Sequence, residues 1–329
     1  MNLKSKDIPI LRYLSEKYFL GAEELSNRLL LSEEDIEKQV EQLKQLGYNL
    51  SINKQKGYRI IARPDILLPS EIRNKLTTRY MGQSIYYYPE LISTNITANQ
   101  LTGEKGNKIR EGTIVIAEKQ SGGKGRAEKR WISPPGGIWL SIILYPEVVP
   151  SQISLITLMT AVAVTKTIIQ LFPHTKVQIK WPNDVLINNR KVCGILTEVN
   201  TVANTIKWVI IGIGINVNND FLCLPADIRE NSLSLKEVTG QSIKRVNFIR
   251  HLCIELERFY ELLKKGDFLA ILEEWKLYNN ILGKKVDVNI GEKIITGEAI
   301  DINEKGALIF KTDTGEIKEI ISGIVNLIR

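Results

Sequence analysis

The stretch KQSGGKGRAEKRW, residues 119–131, places three glycines and five basic side chains within thirteen residues. Glycine lets a backbone approach a ligand closely, and clustered cations attract an anion to that backbone. Further along stands KWPNDVLINNRKVCGI, residues 180–195. Its Asn183 and Asp184 form a tight turn after Pro182, with Lys180 before them and Lys191 and Gly194 after. A polar Asn-Asp turn between apolar strands is often only a hairpin, with Asp184 as its Asx residue. Here a cation stands at each end. GIGIN, residues 212–216, adds Gly212, Gly214 and Asn216 at a strand end, and STN, residues 93–95, groups Ser93, Thr94 and Asn95 as a candidate helix cap.

Two familiar phosphate motifs are excluded. SGGKGR is not a P-loop, because Lys124 precedes Gly125 rather than Ser or Thr and position 118 is Glu. GIGIN lacks the third glycine of a dinucleotide fingerprint, and no helix opens after it. Taken alone, the GGKGR loop is equally well a basic surface loop.

These segments need a framework to hold them together. With 329 residues the chain has room for two or three domains and a large apolar core. At 43% apolar and 25% charged residues the composition is that of a globular protein without a disordered tail. A net charge of +7 permits a nucleic-acid or phosphate partner without demanding one. Cys193, Cys223 and Cys253 have no second ligand close by in sequence, which fits neither a zinc site nor a disulfide framework. They are expected to be reduced thiols of a cytoplasmic protein, and the N-terminus lacks the apolar run of a signal peptide. Residues 153–172 are apolar enough to suggest a membrane span, but Lys166 and several threonines within them favour a core helix and no membrane.

The first sixty or so residues read as three short helices, the third capped by Ser32 and closed by Gly47, followed by two strands around a polar turn. That is the layout of a winged helix-turn-helix. Pro64 and Pro69 then mark a linker. Strand-like and helix-like runs alternate to about residue 280, predicting an α+β domain with one large mixed sheet. The last fifty or so residues alternate apolar and polar with regularly spaced glycines, as in a small antiparallel barrel.

STN, GGKGR…W, KWPND…RKxxGI and GIGIN, in this order, resemble the biotin–protein ligases. The whole chain resembles the bifunctional kind that is also the biotin operon repressor. The resemblance implies a winged helix-turn-helix over residues 1–64, a ligase domain of the class II aminoacyl-tRNA-synthetase-like type over 65–280, and an SH3-like barrel over 281–329. It implies an ATP-dependent enzyme that makes biotinyl-5′-AMP and passes biotin to a lysine of the biotin carboxyl carrier protein. ATP, Mg²⁺ and biotin would be co-substrates and ion, with no tightly bound prosthetic group and no protein metal site. Operator DNA and a homodimer formed on binding biotinyl-5′-AMP are the further partners implied.

By the same resemblance Ser93, Thr94, Asn95 and Gln120 meet biotin's ureido ring. Gly123, Lys124, Arg126 and Trp131 belong to the loop that folds over biotin and its adenylate. Lys191 meets the carboxylate and α-phosphate with Gly194 beside it, and Gly212 and Ile215 wall the biotin pocket. Lys129, Lys180, Asn183 and Asn216 border the nucleotide. Joining a carboxylate to a phosphate brings two anions together, so cations must screen them. Lys191, Arg126 and Lys124 suit that task, and Asp184 suits orienting or deprotonating the acceptor amine.

This chain departs from the family pattern in two places. Lys124 stands where the family has arginine and Glu128 where it has glycine, and lysine loses planar two-point binding. The recognition helix begins with Glu33, Glu34, Asp35 and Glu37, with Glu41 following. Acids there favour the helix but repel phosphates. DNA contact would then rest on Lys54, Lys56 and Arg59 in the wing. Two competing readings are a ligase with a vestigial DNA-binding domain and a biotin sensor with a dead ligase. A lipoate or octanoate ligase, which shares the fold, would carry an Arg-Arg-x-Gly-Gly-Gly segment that is absent here.

Overall fold

A computed structural model of the chain describes residues 8–103, 109–221, 225–291 and 293–328. Cys223 lies outside the described residues, while Cys193 and Cys253 are buried free thiols.

At the N-terminus, the spacing of apolar residues predicts a full helix, but Pro9–Arg12 makes only a 3-10 turn. The cause is tertiary. The carbonyl of Ser15 accepts from Ile60 N–H at 2.9 Å, and Leu20 and Tyr58 exchange two backbone hydrogen bonds, so this segment pairs with a strand instead of coiling. Helices α1 (Ala22–Leu29) and α2 (Glu33–Gln45) follow. Ser32 caps α2, its hydroxyl accepting from Asp35 N–H at 3.1 Å. The inner face of α2 buries Ile36, Val40 and Leu43. Strands β1 (Asn49–Asn53) and β2 (Gly57–Ala62) form the antiparallel hairpin. Gly57 is obligatory there: its φ is +89°, and a Cβ would lie 2.0 Å from the Leu20 carbonyl oxygen.

The stretch around Pro64 and Pro69, expected as a linker, is buried from Leu67 onward, while Pro64 is half-buried and Asp65 exposed. Leu67 and Leu68 are fully enclosed, and α3 (Pro69–Arg73) carries a Glu71 that is only 5% exposed. Tyr48 donates to Glu71 Oε1 at 2.9 Å, and Arg63 pairs with the same carboxylate. The segment therefore joins the N-terminal unit to the rest through a shared interior, and the core runs continuously through both.

The central elements are β3 (Ile85–Leu91), α4 (Thr94–Gly103), β4 (Thr113–Gln120), β5 (Ile138–Leu144), α5 (Ile153–Leu171), β6 (Val177–Lys180), β7 (Asp184–Ile187), β8 (Arg190–Val202) and β9 (Thr205–Ile215). Among the described residues these strands form one sheet in the order β3-β4-β5-β9-β8-β7-β6. Only β3 and β4 run parallel, so the sheet is mixed as predicted. Helix α5 is long and apolar enough to cross a membrane, yet 67% of its apolar window is buried inside the protein. Its Lys166 pairs with Glu274 at 2.7 Å, as a core helix with one half-exposed edge requires.

After β9 come α6 (Ala226–Asn231), α7 (Leu235–Thr239), α8 (Arg245–Lys264) and α9 (Phe268–Tyr278). Helices α8 and α9 pack on α5 to close the layer behind the sheet. The last unit holds β10 (Lys284–Ile290), β11 (Lys293–Ile302), β12 (Leu308–Thr312), β13 (Ile317–Ile320) and β14 (Ile324–Leu327). They make an antiparallel sheet in the order β13-β12-β11-β10-β14.

Candidate active site

The period-two alternation of a strand decides which residues of β8 and β9 face the same way. Gly194 stands opposite Gly214, and Leu196 opposite Gly212. Side chains laid over these glycines fill the room they leave. A Cβ at Gly194 would meet the Trp131 ring at 2.7 Å, and one at Gly214 would meet Trp131 Nε1 at 2.4 Å. A Cβ at Gly212 would meet Asn95 Oδ1 at 2.4 Å. The glycines of these two strands are thus seats for Trp131 and Asn95, which close a cavity of about 650 Å³.

One end of this cavity is neutral and tightly hydrogen-bonded. Gln120 Oε1 accepts from Thr94 N–H at 2.8 Å, and Gln120 Nε2 donates to Ser133 Oγ at 2.8 Å. Ser141 Oγ lies 2.7 Å from Thr94 Oγ1 and 2.6 Å from Asn95 Oδ1, its single proton serving one at a time. Among the described residues, the buried donors without a partner include Asn95 Nδ2 and Trp131 Nε1. Buried polar groups are rarely left so, and both belong to residues lining the cavity, which marks them as donors to a ligand.

The other end is charged. Lys191 Nζ lies 2.7 Å from Asp184 Oδ2 and 5.9 Å from the centre of the Trp131 ring. Arg126 donates from one guanidinium nitrogen to Asn183 Oδ1 at 3.2 Å and to the carbonyl of Gly323 at 3.2 Å. Asn183 in turn donates to the Ile195 carbonyl at 2.9 Å, which fixes the turn after the cis Trp181–Pro182 bond. Burial lowers the pKa of Arg126, opposed by the Asp184 carboxylate. Burial likewise lowers that of Lys180, with Asp184 opposing and the cations Lys191 and Lys129 adding to the depression. Among the described residues Asp184 is the one carboxylate in the cavity wall, against five lysines and arginines from the loop and the hairpin strands together with Lys180. The site is built for anions.

Ser93, Thr94, Asn95, Gln120, Lys124, Arg126, Lys129, Trp131, Lys180, Asn183, Asp184, Lys191, Gly194, Gly212 and Asn216 all line this one cavity. Two expected residues do not. Ile215 points away from Gly212 and Gly214 and lies fully buried in the main core, as alternation along β9 demands. Gly123 sits behind the wall, where its carbonyl accepts from Trp131 N–H at 2.8 Å and a Cβ would meet the Trp131 carbonyl oxygen at 2.5 Å. It shapes the loop that carries Trp131. Sequence reading named Gly214 within GIGIN without giving it a role, and it gave none to Arg130, Ser141 and Gly323. Alternation with Gly212 puts Gly214 on the same face, whereas Gly323 comes from the far end of the chain and carried no local signal.

The residues expected to contact DNA lie elsewhere. Lys54 and Lys56 are exposed in the β1–β2 turn, whereas the Arg59 guanidinium stacks on Phe19, 4.8 Å from the ring centre. On α2, Lys38 pairs with Glu34 at 2.8 Å and Lys44 with Glu41 at 3.2 Å, so both cations of that helix are already matched by acids.

Residues 88–216 match the Biotin/lipoate A/B protein ligase family, and residues 281–327 match the Biotin protein ligase C terminal domain. The bifunctional ligase/repressor BirA of Bacillus subtilis is 36% identical over 313 residues, covering 94% of each chain. The chain belongs to the family of these bifunctional ligase/repressor proteins. The Escherichia coli BirA is 27% identical and matches over 99% of this chain and 98% of its own. Among solved structures, the biotin protein ligase of Aquifex aeolicus, in complex with biotin and ATP, superposes with a TM-score of 0.64 at 28% identity. That match covers 75% of this chain and 99% of the other.

Proposed function

We propose that this protein joins biotin to ATP as biotinyl-5′-AMP and then transfers biotin to a lysine of the biotin carboxyl carrier protein, and that it represses transcription of biotin synthesis in response. The observation that carries the ligase reading is the convergence, in one cavity, of two unpartnered buried donors with a cluster of cations. Asn95 Nδ2 and Trp131 Nε1 would bind the neutral, hydrogen-bonding part of biotin, while the cationic end takes its carboxylate and the nucleotide's phosphates.

In the first step a carboxylate oxygen of biotin attacks the α-phosphorus of ATP and pyrophosphate leaves. Lys191 and Arg126, with Lys124, Lys129 and Lys180 around them, stabilise the charge that accumulates on the phosphoryl oxygens. Among the described residues the cavity wall offers a single carboxylate, Asp184, so Mg²⁺ would arrive with the phosphates of ATP as part of the substrate. In the second step the acceptor amine attacks the acyl carbon and AMP leaves. Asp184 orients that amine or takes its proton. Trp131 and the loop of residues 121–131 keep water from the mixed anhydride meanwhile.

The finer organisation follows the same reading: a winged helix-turn-helix over residues 1–64, a class II synthetase-like ligase domain over 65–280, and an SH3-like barrel over 281–329, in a cytoplasmic protein. The exposed Lys54 and Lys56 support DNA contact through the wing, in a homodimer that forms on binding biotinyl-5′-AMP. The deciding experiment mixes protein, biotin, ATP and magnesium and looks by mass spectrometry for biotinyl-5′-AMP. Its absence overturns the reading.

A further inference from the structure

The contact between Arg126 and Gly323 joins two units that the chain separates by nearly two hundred residues. Arg126 sits in the basic loop, and Gly323 precedes β14 in the C-terminal sheet. One guanidinium nitrogen bridges the Gly323 carbonyl and Asn183 Oδ1, each at 3.2 Å. A second carbonyl of the C-terminal unit, that of Gly306, accepts from Trp181 Nε1 at 3.2 Å, so the same unit also steadies the turn bearing Asn183 and Asp184. Gly323, Ile324 and Val325 complete the cavity wall.

Position 323 tolerates little. A Cβ there would lie 2.9 Å from Val288 Cγ1 and 3.1 Å from the Asn289 carbonyl oxygen, both in β10. Only a residue without a side chain lets the backbone settle this deep against β10. A guanidinium that has lost water to burial needs acceptors to hold it, and a neutral carbonyl does so without cancelling its charge. An aspartate in that place would neutralise the cation that the anions require.

We propose that Gly323 is a positioning residue for adenylate formation: its main-chain carbonyl holds the Arg126 guanidinium beside Asn183, so that the C-terminal sheet sets the geometry of the charged end of the site. This rests on the ligase reading above, and the two fail separately. If the wild-type chain makes no biotinyl-5′-AMP, the ligase reading falls. If it does, the test is Gly323→Ala in the full chain, followed as pyrophosphate release under saturating biotin and ATP and as escape of biotinyl-5′-AMP onto bystander lysines.

The expected result is a roughly tenfold slower first step with greater escape, without a comparable change in the KM for biotin, whose proposed donors are Asn95 and Trp131 and not Arg126. Two further variants separate positioning from general damage. In an Arg126→Met background, Gly323→Ala should add little, because the group it acts through is gone. Val288→Ala, which removes the tighter of the two contacts the new methyl makes, should restore part of the rate. Wild-type rate and retention in Gly323→Ala, or full additivity with Arg126→Met, overturns the proposal. Should Gly323→Ala fail to fold, Arg126→Met alone carries the test by hydrogen exchange. Amides 321–326 should exchange faster while β11 and β12 stay protected, and unchanged exchange at 321–326 overturns it equally.

Discussion

Lys191 Nζ and Asp184 Oδ2 face each other at 2.7 Å across the hairpin of β7 and β8. The cation assigned to the first half-reaction is therefore paired, before substrate arrives, with the carboxylate assigned to the second. The ammonium has three donors, so Lys191 can meet an incoming anion while one of them stays on Asp184. Lys191→Ala should slow adenylate formation by about 2–4 kcal/mol of transition-state stabilisation, as for loss of one preorganised electrostatic donor. Pyrophosphate release measures it, and a rate within threefold of wild type would remove Lys191 from the first step.

Asp184→Asn should divide the two half-reactions. Adenylate formation is expected to hold within about tenfold, while transfer to the carrier lysine falls by roughly 10²–10⁴, the range for a general base. Single-turnover transfer from preformed biotinyl-5′-AMP isolates the second step. Equal losses in both would assign Asp184 to holding Lys191 and nothing more.

Gly214→Ala should unseat Trp131, since the added methyl would meet Nε1 at 2.4 Å. The expected cost is at least tenfold in the KM for biotin, together with about 1–3 kcal/mol of stability, typical of overpacking. Calorimetric biotin titration checks the first and urea unfolding the second. Unchanged biotin affinity would mean that the indole is no part of the biotin subsite.

Lys180 is held below the usual lysine range by burial and by its cationic neighbours. The charged form is thus disfavoured in the folded chain, so the unfolded chain binds more protons as pH approaches the ordinary lysine range from below. Stability from this group accordingly rises with pH through that window. Lys180→Met should stabilise the protein by about 0.5–2 kcal/mol at neutral pH while impairing the first step, a trade common at active sites. The gap should narrow at alkaline pH in denaturant melts, and a destabilised variant at neutral pH would contradict the argument.

DNA binding should be weak, steeply salt-dependent and carried by the wing, because Lys38 and Lys44 on α2 are spent on Glu34 and Glu41. A gel shift at low salt with biotinyl-5′-AMP bound, repeated with Lys54→Ala and Lys56→Ala, reads this directly. No shift for the wild type would make the chain a ligase only. Deleting residues 1–64 should leave adenylate formation within a few-fold, yet lower the melting temperature, because Leu67, Leu68 and Ile72 lose part of their cover.

The strands of the central sheet were legible because β-branched runs and alternation are local signals, and so were the residues of the cavity that lie in four short motifs. What escaped was set at long range. The 3-10 turn at Pro9 gave up its helix to a strand pairing at Ile60. Ile215 was assigned to the pocket by the family resemblance, although alternation along β9 turns it to the face opposite Gly212 and Gly214. Gly323 reaches the site only because the C-terminal sheet folds back over the loop. The prolines marked a linker because composition cannot register that Glu71 would find Tyr48 and Arg63.

That buried joint has a mechanical consequence. Arg245, 3% exposed, pairs with Asp65 at 2.7 Å and Glu118 at 2.8 Å and donates to the Gly137 carbonyl at 2.8 Å, while Asn218 reaches both Asp65 and the Ile243 backbone. Two domains on a supple tether sample a cloud of separations whose average grows with tether length. Here Asp65, three residues after β2, is held to Arg245 and Asn218 instead, and Arg245 also grips Glu118 in β4 of the central sheet. A residue inserted at position 65 would therefore have to break these bonds, since there is no slack there to take it up.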